Sequence, residues 1–231
     1  MIKLIVSDLD GTLARTGYSA ITDTALKTLK EIESKGVKIA VCSGKPTYYL
    51  CGYLRQCDWK TPIMMGENGS VIQFGITVPP EFYRVMPYSD NAKKSLAFLK
   101  EEIIKKIPDM WFQPNNTALT PFIKEDKEFE IIDKILADNH DKLNDITAYK
   151  HSDSYDIVPN GINKGAAVKW LCEKLGIEKD EVVTMGDGVN DYSMFNESGF
   201  SLGINLADKS KATHNFSCLD DALEFIKNEL M

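Results

Sequence analysis

Apolar and polar positions alternate along the chain with two periods, and the order of the periods predicts a layered α/β protein. Leu4 to Val6 is a short apolar run that reads as a buried strand. Thr22 to Lys35 then has helical spacing, with Ala25, Leu26, Leu29 and Ile32 on one face, a Thr22 or Asp23 cap and Gly36 as the stop. Val37 to Cys42 is a second strand, 47–57 a second helix opened by Pro46, and Pro62 to Met65 a third strand. Strand, helix, strand, helix, strand implies right-handed crossovers and a parallel sheet.

The pattern changes near Gly75. Between 78 and 155 it becomes mixed and more polar, with Pro79-Pro80 near the boundary. Helices are expected over 91–107 and 129–139. One or two strands are expected within 110–123, and a strand pair over 146–151 and 154–158. This describes a small α+β unit inserted into the first. The parallel pattern resumes with a helix over 164–175 ended by Gly176, a strand over 181–185, a helix around 192–196 and a strand over 200–203. Further helices near 207–213 and over 220–230 close the chain. The domain reading is therefore 1–77 with 156–231 as the core and 78–155 as the insert.

Length and composition fit this picture. A chain of 231 residues, 43% hydrophobic and 26% charged, can bury a core without covalent staples. A net charge of −7 argues against a general nucleic-acid binder, while leaving room for a local phosphate pocket. The five cysteines are odd in number and form no C-x-x-C pair, which fits a reducing compartment and a cytoplasmic protein. The amino-terminal stretch meets Asp8 too early to read as a signal peptide, and no apolar run approaches membrane-spanning length, so no membrane partner is expected.

Chemistry enters where the strands stop. The first strand ends at Asp8-Leu9-Asp10-Gly11-Thr12. Two crowded carboxylates repel unless a cation lies between them or one is protonated. Hard oxygen donors with few His or Cys nearby favour Mg²⁺. With the cation present, one acid can stay ionised as a nucleophile while the other handles protons. The second strand ends at Ser43-Gly44-Lys45, which offers a hydroxyl, backbone N–H groups and a positive charge to an anion. Lys164 opens a helix, where a cation is unfavourable unless an anion is nearby. The strand over 182–185 leads into Gly186-Asp187-Gly188-Val189-Asn190-Asp191. Asp187 could ligate a cation directly, Asp191 directly or through water, and Asn190 could orient a water or a phosphate oxygen. The acids do not fall at EF-hand positions. In open α/β sheets ligands lie beyond the carboxyl ends of the strands, so these distant stretches would meet at one edge. Asp8 would then be poised to attack phosphorus, with Ser43 and Lys164 holding phosphoryl oxygens.

These motifs, in this order, resemble the haloacid dehalogenase superfamily, and the long insert before Lys164 resembles its Cof-type branch with a type 2 cap. That branch includes sugar-phosphate, sucrose-phosphate and archaeal-type phosphoglycolate phosphatases as well as phosphomannomutases. The short insert and Gly66-Glu67-Asn68-Gly69 look most like the phosphoglycolate group. The resemblance implies a Rossmann-like core with an inserted cap acting as a lid. It implies an aspartyl-phosphate on Asp8, and Asp10 as the acid that protonates the leaving oxygen and then activates water. It places phosphate on Ser43, Gly44, Lys164 and Asn190. Mg²⁺ falls to Asp8, Asp10 through its backbone carbonyl, Asp187 and Asp191. Lys45 departs from the pattern, since many relatives carry Arg there. The expected partner is a small phosphorylated metabolite, with a homodimer left open. The alternatives are a phosphomutase with the same nucleophile and a non-catalytic phosphometabolite sensor.

Overall fold

The computed structural model describes residues 1–15, 20–59 and 61–231. The chain divides into two compact units, Met1–Arg84 with Asn163–Met231, and Val85–Ile162.

The first unit is built on an eight-stranded sheet in the order β12-β11-β10-β1-β2-β3-β4-β5. β1 (Leu4–Ser7) is central and wholly buried. It pairs in parallel with β2 (Lys38–Cys42) and with β10 (Val182–Gly186). β3 (Ile63–Gly66), β11 (Phe200–Ile204) and β12 (His214–Phe216) extend the parallel array, and β4 (Val71–Phe74) returns antiparallel to β3. β5 (Phe82–Val85) is one edge and β12 the other. Register explains the placement of the site. Ser7 lies opposite both Met185 and Val41, so β1, β2 and β10 finish together, and the next residues along each strand leave the sheet side by side.

Helices cover the sheet as the periodicity predicts. α1 (Asp23–Ser34) is capped by the Thr22 hydroxyl, which accepts from the Ala25 N–H, and buries Ala25, Thr28, Leu29 and Ile32. α2 (Thr47–Gln56) buries Leu50 and Leu54. These side chains join Ile5, Ile39, Met64, Val183 and Leu202 in one core. Each fully buried Leu or Ile contributes about 1.5–3 kcal/mol.

The second unit holds α3 (Asp90–Lys106) and α4 (Asp126–Asp138), with two antiparallel pairs, β6 (Trp111–Phe112) with β7 (Pro121–Phe122) and β8 (Ile146–Lys150) with β9 (Tyr155–Pro159). Its own core contains Leu99, Ile103, Ile132, Tyr155 and Ile157. β9 belongs here because its ladder is with β8, so the division falls after it, at Ile162, and not at Tyr155.

α5 (Lys164–Leu175) then returns to the first unit, capped by Asn163 and ended by Gly176 at φ 65°. α6 (Tyr192–Phe195) and α7 (Leu219–Phe225) follow. The helix expected near 207–213 is absent. That stretch is a single 3₁₀ turn, Lys209–Lys211, leading into β12. Among the described residues no helix is long and apolar enough to cross a membrane.

Candidate active site

The site forms where β1, β2 and β10 run out. After Ser7 the chain curls back on itself: Asp8 donates its N–H to Met185, and Gly11 donates to the carbonyl of Ala14. Gly11 sits at φ 88°, where only glycine is unstrained. A Cβ there would lie 2.1 Å from Asp187 Oδ2, so the missing side chain is also what lets the β1 and β10 loops touch. Thr12, fully buried, closes the same junction by donating its hydroxyl to Asp187 Oδ1 at 3.3 Å.

Asp8, Asp187 and Asp191 thereby converge, with one carboxylate oxygen from each within 4.8 Å of the others. Lys164 is 1% exposed and donates from Nζ to Asp8 Oδ1 and to Asp191 Oδ1, both at 2.6 Å. The second oxygen of Asp191 accepts the N–H groups of Asp187 (2.9 Å) and Gly188 (3.0 Å). Asp191 thus ties the first turn of α5 to the β10 loop.

Three acids share one ammonium, so the pocket has a surplus of negative charge. Burial pushes the Asp8 carboxyl up to about 8, against the pull of Lys164. Burial and the neighbouring Asp191 also raise Asp187. For Lys164 burial acts downward, but Asp8 and Asp191 outweigh it and the ammonium is held above its ordinary range. Burial likewise pushes the Cys42 thiol up to about 12. Three converging carboxylates with surplus negative charge fit a hard divalent cation such as Mg²⁺.

The remaining predicted residues are placed as follows. Asp10 turns its carboxylate outward, with Oδ2 3.8 Å from Lys45 Nζ, so its side chain stands apart from the three-acid cluster. Ser43 is buried, and its hydroxyl accepts the Lys45 N–H at 3.1 Å. Gly44 lies between them, ahead of α2. Asn190 is exposed on the short turn Val189–Asp191. Two contacts had no individual signal in the sequence. Thr12 is part of the Asp-x-Asp-Gly-Thr motif, but its bond crosses to a residue far along the chain. Lys45, whose charge the sequence leaves either to an anion or to solvent, sits half-buried with Nζ 3.8 Å from Asp10 Oδ2.

A largely parallel sheet whose central strand delivers Asp8 to two further acids and a buried lysine defines an α/β protein with an acidic site at the carboxyl ends of its strands. The chain belongs to the sucrose-6F-phosphate phosphohydrolase family, whose model it matches over residues 1–224, and with it to the haloacid dehalogenase-like phosphatases. It is similar to a phosphoglycolate phosphatase of Methanopyrus kandleri, at 25% identity over 96% of this chain and 90% of the relative. It is also similar to a 5-amino-6-(5-phospho-D-ribitylamino)uracil phosphatase of Bacillus subtilis, at 28% identity over 93% of this chain and 89% of the relative. In fold it matches a haloacid dehalogenase-like hydrolase from Bacteroides thetaiotaomicron with a TM-score of 0.78 and 20% identity, covering 98% of this chain and all of that one, at 100%. The resemblance read from the motifs and the α/β fold class both hold. The protein is a phosphatase of small phosphorylated metabolites.

Proposed function

We propose that the protein hydrolyses phosphoglycolate or a sugar phosphate through an aspartyl-phosphate on Asp8, with Mg²⁺ as cofactor. The observation that carries this reading is the convergence of Asp8, Asp187 and Asp191 around a buried Lys164. Asp8 is the acid delivered by the central strand, and it is the one whose carboxylate Lys164 shares with Asp191. Mg²⁺ bound by Asp8, the backbone carbonyl of Asp10, Asp187 and Asp191 would keep Asp8 ionised and neutralise charge on the transferring group. With all its side-chain oxygens engaged, Asp191 suits contact through water or through Lys164.

The chain's own groups supply the rest. The Asp8 carboxylate attacks phosphorus in line with the ester oxygen, which leaves as the bond to phosphorus breaks. Ser43, the N–H of Gly44, Lys164 and Asn190 hold the phosphoryl oxygens and stabilise the charge that develops on them. Asp10, with its carboxylate exposed beside Lys45, gives its proton to the leaving oxygen. It then takes a proton from the water that opens the acyl phosphate and returns Asp8.

The substrate names come from the relatives. One is called a phosphoglycolate phosphatase, and another acts on a ribityl phosphate. A screen of phosphorylated metabolites with Mg²⁺ present measures kcat/KM for each class. Asp8→Asn is expected to remove turnover of p-nitrophenyl phosphate, by at least about 10³-fold, with an unchanged circular-dichroism spectrum. Residual hydrolysis near the wild-type rate would reject Asp8 as nucleophile. Chelator is expected to abolish activity and added Mg²⁺ to restore it, and full activity in excess chelator would reject the cofactor.

A further inference from the structure

Beside the site lies a bend that none of the assigned roles uses. Gly66-Glu67-Asn68-Gly69 joins β3 to β4, and three successive residues in it are left-handed, with φ of 53° at Glu67, 57° at Asn68 and 94° at Gly69. Glu67 and Asn68 carry side chains in a region that disfavours them, and both are buried, Glu67 completely. Such a conformation persists only where its surroundings dictate it, and two surroundings do so here.

On one side the bend grips the loop after β2. The Glu67 N–H donates to the Lys45 carbonyl and the Asn68 N–H to the Ser43 carbonyl, both at 2.9 Å. Gly66 lies so close to that loop that a Cβ would be 2.6 Å from the Thr47 nitrogen and 2.8 Å from the Lys45 oxygen. On the other side it abuts the first turn of α5. A Cβ on Gly69 would stand 2.3 Å from the Cβ of Ala167, one turn beyond Lys164. The Ser70 hydroxyl and N–H both donate to the Glu67 carbonyl and hold the bend closed.

We infer that the Glu67–Gly69 bend is a positioning element that sets the distance between the Ser43–Lys45 loop and Lys164, and so the fit of the phosphoryl group. This rests on the reading of Ser43 and Lys164 as phosphate-binding. The bend grips the Ser43–Lys45 loop through two backbone N–H groups and meets α5 where Gly69 abuts Ala167, so disturbing it should weaken oxyanion binding before it weakens the cation.

The test compares two affinities in each variant: inorganic phosphate as a competitive inhibitor with Mg²⁺ present, and Mg²⁺ alone by calorimetry. Gly69→Ala drives a methyl into Ala167. It should weaken phosphate by about tenfold or more, because sub-ångström displacement of a positioned group is felt that strongly. The Mg²⁺ affinity should fall by clearly less than the phosphate affinity, since Asp8 and Asp187 follow β1 and β10 and α5 reaches Asp8 only through the Lys164 side chain. Asn68→Gly keeps the N–H bond and relieves the backbone, so both affinities should stay within about twofold of wild type. Should Gly69→Ala fail to fold, Ala167→Ser probes the same contact with one added atom and carries the same expectation. Unchanged phosphate affinity on crowding this contact would overturn the inference. So would a parallel loss of phosphate and Mg²⁺ affinity, or a loss of phosphate affinity in Asn68→Gly, which would assign the role to the side chain. Lys164→Met serves as the control: if it leaves phosphate affinity intact, the phosphate-binding reading fails, and the bend is not to blame.

Discussion

Burial is the main force holding the Asp8 carboxyl well above its ordinary range, and a cation bound there would displace its proton. Without metal, the unfolded chain releases that proton near 3.8, while the folded chain holds it to about 8. The folded state therefore binds more protons through this window, so its stability is full below the lower value and falls as pH rises toward the upper one. Lys164 adds no slope there, because its ammonium is charged in both states. Metal-free protein should melt at a lower temperature at pH 8 than at pH 5.5. Mg²⁺ should recover more at pH 8, where it has an ionised Asp8 to bind. Asp8→Asn, which cannot titrate, should flatten that slope, and a metal-free melting temperature equal at the two pH values would contradict the account. Much of this site was legible in residue types and spacing alone: an Asp-x-Asp at a strand end, a lysine at a helix start, a Gly-Asp-Gly turn. Spacing could not tell which acids turn inward. Asp10 turns outward to Lys45, and Asp191 spends both oxygens on Lys164 and two backbone N–H groups, because these choices depend on loop paths that meet only in the folded sheet.

At the scale of elements, the long periodic stretches were the readable ones. The expected helix over 164–175 coincides with α5, since Asn163 caps it and Gly176 stops it. Gly176 stands at φ 65° with open space around it, so Gly176→Ala should cost about 1 kcal/mol through backbone strain alone. A thermal melt should show a drop of a few degrees with unaltered kcat. No change in melting temperature would mean the helix end rearranges freely. Short elements were harder to read. β4 and β5 are four residues each, and they lie where the pattern turns mixed, so period-2 alternation had too few positions to register. The stretch 207–213 offered Ala, Lys and Ser, which suit a helix, but Asp208 accepts the Ser210 N–H and closes a local turn. β12 then completes the sheet against β11 through tertiary pairing that no local propensity announces.

At the scale of the whole molecule, the chain leaves the first unit once and returns once, so the second unit, Val85–Ile162, is a single continuous segment. It has its own core, in which Leu96, Leu99 and Ile103 of α3 meet Ile132 and Ile135 of α4 and Tyr155 and Ile157 of β9. A polar contact at the surface of that core supplements it: Tyr155 donates its hydroxyl to the exposed Asp133 at 2.6 Å, and Lys150 donates to the other oxygen of Asp133 at 2.7 Å. Both helices begin with side-chain caps, Ser89 for α3 and the Glu125–Glu128 box for α4. A segment of this size with a contiguous core and capped helices holds up to about 3–5 kcal/mol on its own. Residues 85–162 expressed alone should therefore give a helical spectrum and one cooperative urea transition. Asp8, Asp187 and Asp191 all belong to the other unit. Mg²⁺ should accordingly raise the melting temperature of the full chain and leave that of the segment where it is. A segment without a cooperative transition would show that its core needs the rest of the chain. A segment whose melting temperature rises with Mg²⁺ would place a cation site among its own acids, and the metal response of the full chain could no longer be assigned to the three converging aspartates alone.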